Sequence, residues 1–233
     1  MKSNSFRTDE ERGVWALKKE VYGKSENGAP LYFFPCQKKC THFILAGIHG
    51  EEPETTFLLS RAGRFFKSAL DHAVLILCAN PDGMTLGTRG NQNGVDLNRN
   101  FPTANWKPDS VYSKLTLGSP RVTALSPGAY PSSEKETTAL IALIKEHSPS
   151  SILSMHAPMS CIDALERSSA VLQLEELFQM PWVSSIGYET PGSLGSWCEE
   201  QKIECITLEL PKVPLEQLEA DYAASFAKWL YAL

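Results

Sequence analysis

No apolar run in this 233-residue sequence approaches the ~20 residues that a membrane-spanning helix needs. Basic residues are also in short supply. Lys and Arg number 22 against 27 Asp and Glu, a net charge of −5, which is the opposite of the basic face that a nucleic-acid backbone requires. Charges of either sign are dispersed, so no block reads as an interaction tail. The expected partners therefore include neither nucleic acid nor membrane. The opening residues MKSNSFRTDEERG lack the hydrophobic segment of a secretory signal, and the expected location is cytoplasmic. Cysteine is sparse, at positions 36, 40, 78, 161, 198 and 205. Cys36 and Cys40 have a C-x3-C spacing, yet no second Cys or His pair stands nearby to complete a zinc site. In a reducing compartment the six are expected to be free thiols.

What is present is an ordinary globular composition, 42% hydrophobic, on a chain long enough for one full core. Apolar runs at 42–48 (HFILAGI), 72–80 (HAVLILCAN), 150–157 (SSILSMHA) and 203–210 (IECITLEL) read as buried strands. Helical spacing follows the first of these, in TTFLLSRAGRFFKSAL, and recurs at 168–179, after Pro191-Gly192, and from about 215 to 230. Ser133 and Glu136 have the spacing of a capping box before the amphipathic stretch 132–147. NPDG at 80–83 reads as a turn, and residues 81–132 carry no period, which marks functional loops. No repeat or linker divides the chain. The expectation is a single α/β domain over 1–233, with a largely parallel (mixed) central sheet covered by helices on both faces.

In such sheets, ligands gather where strands end. The first strand runs into GIHGEEPE, placing His49 and Glu52 at H-x-x-E spacing; the third ends at His156 and the fourth at Glu209. Two imidazoles and a carboxylate suit one tetrahedral Zn²⁺ per chain with its fourth position open. An ion so held acidifies water and polarises a carbonyl. Each residue alone has a plainer reading: H-x-x-E arises by chance, and a strand-end His or Glu is often structural. The case rests on their joint occurrence at the strand ends of one sheet.

The segment TRGNQNGVDLNRNFP, 88–102, concentrates polar residues that build no core. Asn93-Gly94 reads as a turn. Arg89 is a candidate cation for a developing oxyanion. Asn98 and Arg99 are candidate anchors for a substrate carboxylate, which a guanidinium fork can grip with two parallel hydrogen bonds. The alternative is that both arginines are solvated or internally paired.

Taken in order, H-x-x-E after a strand, NPDG, R…GVDLNRNF, a strand-end His and a strand-end Glu resemble the zinc metallocarboxypeptidases of the carboxypeptidase A type over roughly residues 42–211. That resemblance implies a metallocarboxypeptidase-like fold and zinc on His49, Glu52 and His156. It further implies Arg89 polarising the scissile carbonyl, Asn98 and Arg99 on the terminal carboxylate, and Glu209 as general base and acid. Tyr188, in IGYETPGSLGSW, would be the residue that closes over the substrate. The stretches LAGIHGEE, NPDGMTLGTRGNQNGVDLNRNFPTANWK, HAPMSCID and SSIGYETPGSLGSWCEE resemble a cytosolic branch of that family. Its members hydrolyse the γ-D-glutamyl–meso-diaminopimelate bond of the murein tripeptide during cell-wall recycling, which makes a small peptide the expected partner. The alternatives keep the zinc and change the substrate, to ordinary C-terminal L-residues or N-acyl amino acids, or drop catalysis for a binding module. A diaminopimelate side chain calls for an opposite-charge pair in its pocket; Arg121 and Asp163 lie near the motifs, but no pattern selects them.

Overall fold

The computed structural model describes residues 15–114 and 122–233. In chain order, the hairpin β1 (Glu20–Lys24)–β2 (Pro30–Phe33) leads into β3 (His42–Leu45), α1 (Pro53–Gly63), β4 (Ala73–Ile76) and α2 (Pro81–Leu86). An antiparallel pair, β5 (Val111–Lys114) and β6 (Val122–Leu125), precedes α3 (Lys135–His147), β7 (Ser151–His156), β8 (Cys161–Asp163), α4 (Ser169–Phe178) and β9 (Trp182–Val183). Then follow α5 (Leu194–Gln201), β10 (Glu204–Glu209), α6 (Leu215–Leu218) and α7 (Ala224–Ala232).

Six strands form one sheet in the order β4-β3-β7-β10-β8-β9. The first four are parallel; β8 runs antiparallel to β10, and β9 is parallel to β8. Side chains alternate across the sheet and divide the core in two. Ile44, Leu75, Leu153, Met155, Ile206 and Leu208 pack under α1, α4 and α7. Phe43, Leu45, Val74, Ile76 and Ile152 pack under α3 and α5. This period-2 division is why the strands read as continuous apolar runs, since both faces are covered. The mixed α/β architecture expected from the sequence is present.

Several local expectations change. The helix after the first strand ends at Gly63 rather than near residue 70, with the Trp15 ring packed where a Cβ of residue 63 would stand; Phe65 and Phe66 then enter the core from a turn. NPDG is a helix start, not a free turn. Asn80 Oδ1 accepts the Gly83 N–H at 2.9 Å, and Pro81 occupies the first helical position of α2. The Ser133–Glu136 capping box does not form. Here α3 starts at Lys135 without a side-chain cap; Ser133 Oγ accepts from Asn100 Nδ2, and Glu136 accepts from the Glu26 N–H and Asn91 Nδ2. The helix predicted from about 215 is interrupted by a π turn, Glu219–Ala223. Leu218 and Ala223 lie five residues apart, so the wider turn returns both to the core alongside Phe226, Ala227 and Leu230. The β1–β2 and β5–β6 pairs and the short β8 and β9 carry no period long enough to be read from sequence.

Chain order places the site. β3 leads to β4 on one side and pairs with β7 on the other, so a crevice opens beyond the carboxyl ends of β3 and β7.

Candidate active site

Three elements deliver the metal-type donors to that crevice. His49 comes from the loop after β3, Glu52 from the residue that opens α1, and His156 from the last position of β7. The loop folds tightly against α2, because a Cβ at Gly50 would overlap the Gly83 carbonyl. His49 Nδ1 lies 2.8 Å from Glu52 Oε1 and 3.2 Å from His156 Nδ1, while His156 Nδ1 lies 3.1 Å from Glu52 Oε2. All three residues are buried. Both imidazoles turn Nδ1 to the shared point and Nε2 outward, to Asp96 Oδ1 at 3.2 Å and Ser154 Oγ at 3.1 Å. A second partner on each ring orients it as a ligand. Burial opposes ionisation of Glu52, but His49 and His156 outweigh it and hold the carboxyl well below the usual range. Two imidazole nitrogens and an ionised carboxylate converging in this way fit a Zn²⁺.

Asp96 is the functional residue that sequence reasoning missed. It is fully buried and accepts three times: from His49 Nε2, from Arg89 Nε at 2.7 Å, and from the Asn98 N–H at 2.9 Å. Burial raises the cost of its charge, yet Arg89 and then His49 hold the carboxyl well below its ordinary value. Its one sequence signal was an acid placed between two arginines in a segment with no core. Arg89 is thus internally paired, as one alternative had it. Besides Asp96 it lies 3.6 Å from both Glu51 and Glu52. These contacts also fix it at the rim of the donor cluster, which suits a preorganised cation.

Arg99 differs. It is buried, and among the described residues no carboxylate lies within ion-pair distance; the one hydrogen bond from its guanidinium goes to the Asn98 carbonyl at 2.7 Å. Burial pulls its pKa down against the attraction of the Asp96 charge, and Arg89 adds to the fall. A buried cation held this way is the kind of group that an anion can match. Asn98 Oδ1 accepts the Leu194 N–H at 2.9 Å and so ties this turn to the start of α5. Tyr188 is exposed, on the loop before α5, and partial burial of its phenol raises its pKa against the pull of Arg99 and Arg89. Glu209 ends β10 directly beside His156. It is buried and accepts the Met159 N–H at 3.3 Å. Burial pushes its carboxyl above the ordinary range against the pull of His156, a direction that favours proton exchange near neutrality.

The remaining asparagines of the 88–102 segment are structural. Asn91 and Asn93 both donate to Glu134, and Asn91 Oδ1 accepts the N–H groups of Asn93 and Val95. Those bonds, with Lys135 on Glu26, occupy the acidic group Glu26–Glu134–Glu136. All six cysteines are free thiols. Arg121 lies outside the described residues.

The profile of the zinc carboxypeptidase family matches residues 16–162. Murein peptide amidase A of Escherichia coli K12 is 42% identical over 223 residues, covering 94% of this chain and 92% of that protein. The crystal structure of murein-tripeptide amidase MpaA from Escherichia coli O157 superposes with a TM-score of 0.92 at 40% identity, covering 97% of each chain. The carboxypeptidase A of Helicoverpa armigera, 19% identical, shares the fold at a TM-score of 0.67 over 94% of this chain and 67% of that one. No helix among the described residues is long and apolar enough to cross a membrane. With the family profile matched over residues 16–162 and 42% identity to a relative over 94% of its length, the chain belongs to the zinc carboxypeptidase family.

Proposed function

We propose that this enzyme is a zinc-dependent amidase that removes meso-diaminopimelate from the γ-D-glutamyl group of a murein tripeptide, in the recycling of cell-wall peptides in the cytoplasm. The observation that carries the reading is 42% identity over 94% of the chain with a murein peptide amidase A. Zn²⁺ held by His49, Glu52 and His156 would supply Lewis acidity to the scissile carbonyl. Everything else falls to the chain's own residues. Arg99 grips the substrate's terminal carboxylate with its fork while the Asn98 amide donates beside it, and this sets the amide carbonyl against the cluster. Arg89, immobilised by Asp96, presents positive charge where the oxyanion develops. The Glu209 carboxylate takes a proton from the attacking water and returns it to the leaving amine. Tyr188 covers the site from the exposed loop.

The test is hydrolysis of L-Ala-γ-D-Glu-meso-diaminopimelate beside a C-terminal L-peptide and an N-acyl amino acid, with and without chelator. Release of free diaminopimelate that chelation stops and zinc restores is the expected result. Cleavage of the other substrates alone would keep the zinc chemistry and discard the murein assignment.

Arg99→Ala is expected to raise KM about 30-fold or more, because losing one partner of a buried charged contact costs ~2–5 kcal/mol of binding. The kcat should change far less, since the terminal carboxylate is bound alike in ground and transition states. Steady-state kinetics on the tripeptide read this directly, and an unchanged KM would remove Arg99 from the anchor.

A further inference from the structure

Two thiols that the proposed reaction leaves idle meet under α5. Side chains alternate along β10, and Ile206 and Leu208 pack under α1, α4 and α7, so Cys205 points to the other face, where α3 and α5 lie. Cys198 is on the buried side of α5, in its last turn, with Leu194 and Trp197. The helix ends three residues later; Lys202 takes a left-handed conformation, and the Ile203 N–H donates to the Cys198 carbonyl at 2.9 Å. This tight return sets β10 beneath the helix end, and the two sulfurs come within hydrogen-bond reach. Their surroundings differ. Cys198 is fully buried, whereas Cys205 is half-buried and lines a cavity of about 440 Å³ bounded by α5, the 184–190 loop, β8 and β10. The contact with Cys205, and then burial, pushes the Cys198 thiol far up, so Cys198 keeps its proton and donates it toward the Cys205 sulfur. A thiol that solvent can reach, backed by a protonated partner thiol, is the arrangement of an oxidisable cysteine and its resolving cysteine.

We propose that Cys205 and Cys198 form a site of reversible oxidation by peroxides, in which Cys205 takes the oxidant through the cavity and Cys198 closes a disulfide with it. The Cys205 sulfur attacks the O–O bond of hydrogen peroxide; one oxygen stays on it as a sulfenic acid, and the other leaves as water. The Cys198 sulfur then displaces that hydroxyl, which departs as a second water with the Cys198 proton, and the S–S bond forms. Two thiols and one peroxide thus become one disulfide and two waters, and a dithiol reductant reverses the change. The bond joins the last turn of α5 to β10, four residues and about 13 Å short of Glu209 on that strand. It leaves the catalytic end of the strand untouched and stops Cys205 from passing on to the irreversible sulfinic acid.

The test treats zinc-loaded wild type, Cys198→Ala and Cys205→Ser with hydrogen peroxide, alkylates the remaining thiols, and maps unreduced peptides by mass spectrometry. In the wild type, alkylation should be lost at both Cys198 and Cys205, and one peptide pair joining them should appear that dithiothreitol removes. Cys198→Ala should halt at the Cys205 sulfenic acid, which dimedone traps. Excess peroxide should carry that variant on to the sulfinic acid at Cys205, while the wild type stops at the disulfide. Cys205→Ser should leave Cys198 reduced under the same treatment. The wild-type map alone decides the pairing, so the outcome does not depend on either variant folding. A map in which Cys36 and Cys40 are joined and Cys198 and Cys205 stay alkylated would overturn the proposal. So would a wild type that gains sulfinic acid at Cys205 as fast as Cys198→Ala, or oxidation of Cys198 that persists in Cys205→Ser.

Discussion

Glu209→Gln is expected to lower kcat on the tripeptide by about a hundred- to ten-thousand-fold, the range that general acid–base catalysis contributes, while zinc content stays at one per chain. Glutamine keeps the size of the side chain and its acceptor toward the Met159 N–H, but it cannot take a proton. Stability should move the other way. Burial raises the folded-state pKa of Glu209, so at neutral pH ionisation of this carboxyl favours the unfolded chain, and that penalty vanishes as pH falls below the unfolded pKa. The neutral variant removes the penalty, so chelator-treated Glu209→Gln should melt at or above the wild-type temperature at pH 7. A merely structural glutamate would instead leave kcat intact and lower the melting temperature. Turnover like that of wild type would show that the proton passes through another group.

Removing Asp96 should have the largest effect on stability. Asp96→Ala strands the half-buried Arg89 and the buried His49 without the carboxylate that both bond. Breaking one side of a buried charge network costs about 3–5 kcal/mol, which for a chain of this size lowers the melting temperature by roughly 10 °C. Zinc affinity should fall about 10–100-fold as well, because His49 loses the partner that fixes its tautomer and orientation. Thermal melts with and without zinc, and metal titration against a competing chelator, separate the two effects. Asp96→Asn should recover part of the stability, since it keeps an acceptor in place, but not the charge match to Arg89. Wild-type melting and zinc affinity in Asp96→Ala would show that Arg89 and His49 do not depend on it.

His156 and Glu209 were legible only jointly, as an imidazole and a carboxylate that close two apolar runs of one sheet, and the structure pairs them in register across β7 and β10. His49 and Glu52 were legible through local spacing. The 88–102 segment was only partly so, because the sequence shows polar density but not partners. Two arginines of the same segment meet opposite environments: Arg89 is held by Asp96, Glu51 and Glu52, and Arg99 pairs with no carboxylate among the described residues. Ser133 and Glu136 misled for a related reason. Their spacing satisfies a local rule, yet Asn100, Asn91 and Glu26, all distant in sequence, claim the same atoms.

The sequence by itself determined the α/β class, the sheet core and the donors of the metal site, because hydrophobic periodicity and the i to i+3 spacing of His49 and Glu52 are local properties of the chain. Only the tertiary structure decided what those donors meet. That Asp96 bonds His49 Nε2, and that Arg99 is buried with no carboxylate partner among the described residues, both follow from long-range packing. Charges separated by tens of residues acquire their energies only when burial brings them together and excludes water.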